Sequence, residues 1–101
     1  MELKDLKWCE VIAMALFLSN GEAYSNTEIS NCDIVRQYMK TKRNNSIANT
    51  ISKTLNQYYQ NSRDRTRKEP YLFTKNTKDK WELTEKGREL VEKVISKLKI
   101  I

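Results

Sequence analysis

Apolar residues recur along this chain with two periods, and the change between them divides it. Between Leu3 and Ser19 the positions Trp8, Val11, Ile12, Ala15 and Leu18 share one helical face, while Leu6, Ala13 and Phe17 lie near the opposite one. The spacing predicts a first helix over about 3–19, stopped at Asn20-Gly21, where glycine can take the left-handed conformation that ends helices. A helix apolar on both sides is either central to a core or used in self-association. Next, Ile29, Cys32, Val35 and Met39 recur every three to four residues. They predict a second helix over about 27–40, with Asn26 or Thr27 as cap. An alternative makes Thr27 to Ile29 a short strand and Asn31 the cap, and the sequence leaves both open.

After the polar, basic turn Lys42-Arg43-Asn44-Asn45, Asn45 or Ser46 can cap a third helix over about 46–60. Its apolar positions Ile47, Ala48, Ile51, Leu55 and Tyr58 fall within about 100° of one another at 3.6 residues per turn. The opposite face carries Ser46, Asn49, Lys53, Asn56 and Gln60, with Thr50 and Gln57 at its edge. That face has no carboxylate. Solvated helix faces normally mix acid with base, so amides, hydroxyls and one lysine favour a surface that hydrogen-bonds base edges or phosphates.

The period then shortens to two. Residues 61–69 form a basic loop in which Arg63, Arg65 and Arg67 alternate before Lys68, a spacing that suits an extended strap along a phosphate backbone. Pro70 fits the entry to an edge strand. Residues 71–83 predict a β-hairpin, in which Trp81 and Leu83 alternate with Lys80 and Glu82. A symmetric two- or four-residue loop would pair Leu72 with Leu83 and Thr74 with Trp81. A three-residue loop, Asn76 to Lys78, pairs Phe73 with Trp81 and Tyr71 with Leu83 and sets Lys75 opposite Asp79. The second register gathers the aromatics and pairs the charges, and it is the one expected, although the loop lacks the usual glycine. Thr84 is then placed to cap a fourth helix over about 85–99, with Glu85 at the positive end of its dipole. Its third residue, Gly87, points to close backbone packing, and Leu90, Val91, Val94, Ile95 and Leu98 form one apolar stripe.

Charge sharpens this picture. The chain has 101 residues and a net charge of +6, but residues 1–39 are at −3, residues 40–80 at +8 and the remainder at +1. Such asymmetry is what a phosphate-binding face requires. The longest apolar run, Val11 to Leu18, is too short to span a bilayer, and no cleavable leader is recognised, so a cytoplasmic protein without a membrane partner is expected. Two cysteines and no histidine cannot supply a four-ligand zinc site, and Cys9 and Cys32 read as reduced thiols. No Gly-rich phosphate loop, nucleophile–base pair or paired carboxylates suggest catalysis. Neither an enzyme nor a cofactor is expected.

The run Trp81-Glu82-Leu83-Thr84-Glu85-Lys86-Gly87-Arg88-Glu89-Leu90 resembles the W-x-L-T-x-x-G-x-x-L pattern that closes the wing of many winged helix-turn-helix proteins. With Asn45 to Leu55 and Tyr71-Leu72-Phe73, nearly the whole chain is similar to winged helices attached to restriction endonucleases and to the HARE-HTH group. It departs from them in its Arg-rich insert, and no attached catalytic domain is expected. The resemblance implies an α+β fold over residues 1–101, with a three-helix core, a β-hairpin wing and a C-terminal fourth helix.

It also implies double-stranded DNA binding, as a small transcriptional regulator or a DNA-reading accessory. Candidate contacts on and before the third helix are Lys42, Arg43, Ser46, Asn49, Thr50, Lys53, Asn56, Gln57 and Gln60. Arg63, Arg65, Arg67 and Lys68 would follow the backbone, and Lys75, Lys78 and Lys80 would surround the wing tip. Apolar surface on the first and fourth helices predicts a homodimer. The rival expectation is a phage or mobile-element protein that docks on, and inhibits, a nucleic-acid enzyme such as a defence nuclease.

Overall fold

A computed structural model of the chain describes residues 3–19, 22–42, 47–59 and 71–98, without the side chains of Lys42, Ile47 and Ala48. The described residues form an α+β arrangement of five α-helices and one two-stranded antiparallel hairpin. The first predicted helix is divided. Leu3–Asp5 make one turn of 3-10 helix, and α1 runs only over Trp8–Leu18. Lys7 between them is extended, and its N–H donates to the Glu10 carboxylate at 2.8 Å. A carboxylate that satisfies an orphan N–H at a helix start marks a true terminus.

α1 is the centre of the core. Cys9 and every residue from Val11 to Leu16 are buried, and the helix packs against the helices and strand that follow it. Both apolar faces are therefore covered within the chain, and on α1 only Leu18 stays largely exposed, at 58 %. Among the described residues, the second apolar face of α1 is taken up by the core and is not left over for a homodimer interface.

The second predicted helix is also two. α2 spans Asn26–Ser30 and α3 spans Asp33–Lys42. Ser25, outside the predicted boundary, caps α2: its hydroxyl accepts the Glu28 N–H, and the Glu28 carboxylate accepts the Ser25 N–H, both at 3.2 Å. The break falls in Ser30-Asn31-Cys32-Asp33, residues whose side chains compete for nearby backbone. The Ser30 hydroxyl donates to the Thr27 carbonyl, and the Cys32 thiol lies 3.4 Å from the Glu28 carbonyl. The turn lets Ile29, Val35 and Tyr38 all reach the core. The alternative strand at Thr27 to Ile29 does not form. Extended pairing occurs instead at Tyr24, which exchanges two hydrogen bonds with Trp81, at 3.0 and 2.7 Å.

α4 covers Ile47–Gln57, shorter at its end than the predicted 46–60. Tyr58 and Tyr59 leave the helix because their backbone joins the hairpin: the Tyr58 carbonyl accepts the N–H groups of Leu72 and Phe73, and Tyr59 bridges Phe73 in parallel. The hairpin strands are β1, Phe73–Lys75, and β2, Trp81–Leu83.

The observed register pairs Phe73 with Leu83, Thr74 with Glu82 and Lys75 with Trp81, not Phe73 with Trp81. The correction comes from the loop, which is three residues long but lies one position later, at Thr77 to Asp79. Asn76 sets it: its side-chain oxygen accepts the N–H groups of Lys78 and Lys80, at 2.9 and 3.0 Å, and its own N–H donates to the Lys80 carbonyl. Asp79 takes the left-handed position at φ 62° that glycine usually fills, a conformation Asp tolerates better than most residues. The pairing shifts by two, so no side chain changes face. Phe73 and Trp81 remain buried neighbours on the diagonal, with ring centroids 6.5 Å apart.

α5 runs over Glu85–Lys97, within the predicted bounds. Thr84 caps it as expected, accepting the Gly87 N–H at 3.1 Å, and its hydroxyl also donates to the Tyr71 carbonyl at 2.6 Å. A Cβ on Gly87 would lie 2.5 Å from the Leu72 carbonyl oxygen and 2.9 Å from Leu83 Cδ2. Glycine here lets α5 lie directly on the approach to β1.

Candidate nucleic-acid interface

α4 carries the amphipathic division that its sequence predicts. Ile51 and Leu55 are completely buried, and Tyr58 is half-buried against the core. On the other side Asn49 and Lys53, one helical turn apart, are exposed. Thr50, Asn56 and Gln57 are half-buried at the edge.

Two predicted readers differ in what they can offer. The Asn56 side-chain amide donates back to the Ser52 carbonyl at 3.0 Å, so one of its donors is committed within the helix. Asn49 projects from the middle of the exposed stripe. Thr54, left out of the polar face, is buried and donates to the Thr50 carbonyl at 2.7 Å. Arg43, Ser46, Gln60, Arg63, Arg65, Arg67 and Lys68 lie outside the described residues, as does the side chain of Lys42.

The wing lysines separate into two kinds. Lys78 is exposed at the loop tip. Lys75 instead turns onto aromatic rings: its ammonium lies 4.6 Å from the Trp81 centroid and 5.5 Å from that of Tyr59, and 3.3 Å from the Asp79 carboxylate. Lys80 reaches the Glu28 carboxylate at 3.2 Å. The carboxylate's acceptance of the Ser25 N–H, followed by its contact with Lys80, lowers the Glu28 pKa below the ordinary carboxylate range. Lys75 and Lys80 thus flank the hairpin as predicted, but both are engaged by partners in the chain.

Trp81 joins these parts. Its indole N–H donates to Asn26 Oδ1 at 2.7 Å, its backbone pairs with Tyr24, and its ring meets Tyr59 edge-on at 5.1 Å. It thereby fixes the start of α2, the exit of α4 and β1 against one another. The sequence reading assigned no role to Tyr24, Tyr59 or Glu28. For Glu28 the signal was present, as the Ser-x-x-Glu spacing of a capping box; for the tyrosines no local pattern announces the contact.

Elsewhere, Cys9 and Cys32 are free thiols. Burial raises both pKa values above the ordinary thiol range, the opposite of an activated nucleophile. Tyr58, desolvated and hydrogen-bonded to the Cys9 thiol, is pushed up to about 12. A cleft of about 340 Å³ opens between the end of α1 and the α2–α3 turn, lined by Ala15, Leu18, Ser19, Tyr24, Asn31, Cys32, Asp33 and Ile34. Among the described residues no group of three or more acidic or thiol side chains could hold a metal ion, and no helix is long and apolar enough to cross a membrane.

Helices in this order, with a hairpin tied to the exit of α4, define an α+β arrangement compatible with a winged-helix layout. Comparison with protein-family models, with curated proteins and with solved structures gave no match to this chain.

Proposed function

We propose that this chain is a winged helix-turn-helix domain that binds double-stranded DNA, acting as a small transcriptional regulator or as the DNA-reading accessory of another system. One observation carries the reading: α4 buries Ile51 and Leu55 and turns Asn49 and Lys53 outward, and its sequence contains no carboxylate. α4 enters the major groove, Asn49 meets a base edge and Lys53 a base or phosphate. The cationic run Arg63 to Lys68 follows the backbone, and Lys78 at the wing tip touches the adjacent groove or phosphates.

The test is duplex binding as a function of salt. With six or so basic groups on phosphates, log K against log salt falls with a slope of about −5. No binding to duplex DNA at about 50 mM salt, where such electrostatic contacts are strong, removes the proposal.

One observation favours the other reading, docking on a nucleic-acid enzyme. Leu18, a large apolar side chain left 58 % exposed, stands at the cleft below the end of α1. Replacing Leu18 with Ser separates the two: capture of a nuclease that depends on Leu18 supports docking, and unchanged duplex affinity in the same variant leaves the DNA reading intact.

A further inference from the structure

We infer that Lys75 is a positioning residue that sets the wing against the end of α4, and that it is not itself a phosphate contact. The inference rests on the DNA-binding reading above. Lys75 lies directly across the hairpin from Trp81, and its ammonium folds back over that partner's ring at 4.6 Å. Tyr59 supplies a second ring at 5.5 Å and belongs to the segment that leaves α4 and bridges Phe73. The two rings meet edge-on, 5.1 Å between centroids. Asp79, at the left-handed position of the loop, faces the ammonium at 3.3 Å.

The cation therefore touches β2, the exit of α4 and the hairpin loop at once. Its side chain is 29 % exposed. A lysine serving a phosphate extends its stem into solvent and keeps its donors free. To do so here, Lys75 would have to leave two rings and a carboxylate. Lys78, two residues beyond Asn76 and exposed, has the geometry expected of the contact residue. Lys75 contributes at a distance, by holding the wing at the angle from which Lys78 reaches DNA.

Binding of one duplex across a salt series, by the full chain and by Lys75→Met, Lys75→Arg and Lys78→Met, tests the assignment. Lys75→Met should weaken binding about two- to five-fold at every salt concentration, the factor that a partly exposed cation–π contact corresponds to, with the slope unchanged. Arginine also stacks on aromatic rings, so Lys75→Arg should restore affinity. Lys78→Met should reduce the slope by about one.

A reduction of about one in Lys75→Met overturns the inference, because that is the signature of a phosphate contact. Nuclear magnetic resonance on the free chain gives a reading that needs no DNA. The Lys75 ε-methylene protons should be displaced upfield by ring currents relative to exposed lysines such as Lys93, and Lys75→Met should move the amide signals of residues 57–59. Undisplaced protons or unmoved amides overturn the inference. If the chain binds no duplex the proposed function falls, and these two signals still decide whether Lys75 ties the wing to α4.

Discussion

The outward face of α4 and the root of the wing carry similar side chains and use them differently. On α4, Asn49 and Lys53 stand in solvent while Ile51 and Leu55 hold the helix from below. At the wing root the polar groups are engaged by partners within the chain: Lys75 lies on Trp81 and Tyr59, Lys80 on Glu28 in a solvent-exposed pair, and the Trp81 indole N–H on Asn26. Each lysine carries the same formal charge in either place, but its availability to a ligand differs. A cation with a ring or carboxylate already beside it must break that contact before it can neutralise a phosphate. The +8 balance of residues 40–80 therefore overstates the field that the wing presents. The contrast teaches that α4 presents its polar side chains to solvent, whereas those of the wing root are spent on contacts within the chain.

The largest effect should come from breaking the root. Trp81 is 4 % exposed and contacts Tyr59, Phe73, Lys75, Tyr24 and Asn26. Trp81→Ala should cost about 3 to 5 kcal/mol, a large part of the stability of a small domain. Lys53→Ala on α4 should stay within about 0.5 kcal/mol. Urea denaturation measures both, and a Trp81→Ala loss below about 1 kcal/mol would remove the distinction between the two regions.

Next in size is Gly87→Ala, on the far side of the hairpin. In an open helix this change stabilises by about 1 kcal/mol. Here the new Cβ meets a backbone carbonyl at 2.5 Å, so α5 must move off the approach to β1. A net loss of about 2 to 3 kcal/mol is expected, and a gain in thermal stability would show that the close approach is not required.

The two regions also differ in how far the sequence revealed them. The β2–α5 junction was legible because its signals are local: Trp81 and Leu83 alternate, Thr84 caps, and Gly87 makes room for a neighbouring backbone. The apolar stripe of α4 was legible for the same reason, since a period of 3.6 needs no tertiary knowledge. The continuous second helix missed the break at Asn31-Cys32 because Ile29, Cys32, Val35 and Met39 keep helical spacing across it, while the competing side-chain hydrogen bonds carry no periodic signal; the alternative start at Asn31 came near the break but put a strand where α2 forms. The register was missed by two residues because cross-strand pairing weighs aromatics and charges, whereas the loop obeys Asn76 and the backbone of Asp79. The engagement of Lys75 by Tyr59 could not be read at all, because its partner lies beyond the strand pair and arrives through the fold.

A finer division is predicted within α4. Asn49 projects outward, whereas the Asn56 amide donates to the Ser52 carbonyl. Asn49→Ala should reduce preference for a cognate duplex by about 1 to 2 kcal/mol and leave random-sequence affinity nearly intact. Asn56→Ala should change that preference by less than about 0.5 kcal/mol, a surface-level effect. Equal losses in the two variants would mean that the back-bonded amide turns outward on DNA, and equal losses on cognate and random duplexes would make α4 a backbone contact.

The smallest effect is confined to alkaline solution and sits at the joint between the two regions. Tyr58 ends α4, its carbonyl receives Leu72 and Phe73 from the wing approach, and its phenol is hydrogen-bonded to the Cys9 thiol of α1. Burial, with that hydrogen bond second, pushes its pKa up to about 12, against an ordinary tyrosine value of about 10. The folded chain therefore keeps this proton to higher pH than the unfolded chain does. The contribution is fully present below about pH 10 and is lost as pH rises toward 12. Absorbance of the phenolate in the folded chain should show a late component that disappears in Tyr58→Phe. In a Cys9→Ala background, which removes the coupled thiol, Tyr58→Phe should also lose less stability than its parent between those limits. Burial also raises the Tyr24 and Tyr38 phenols, so a late component left at full amplitude in Tyr58→Phe would assign it to one of these and remove Tyr58 from the account.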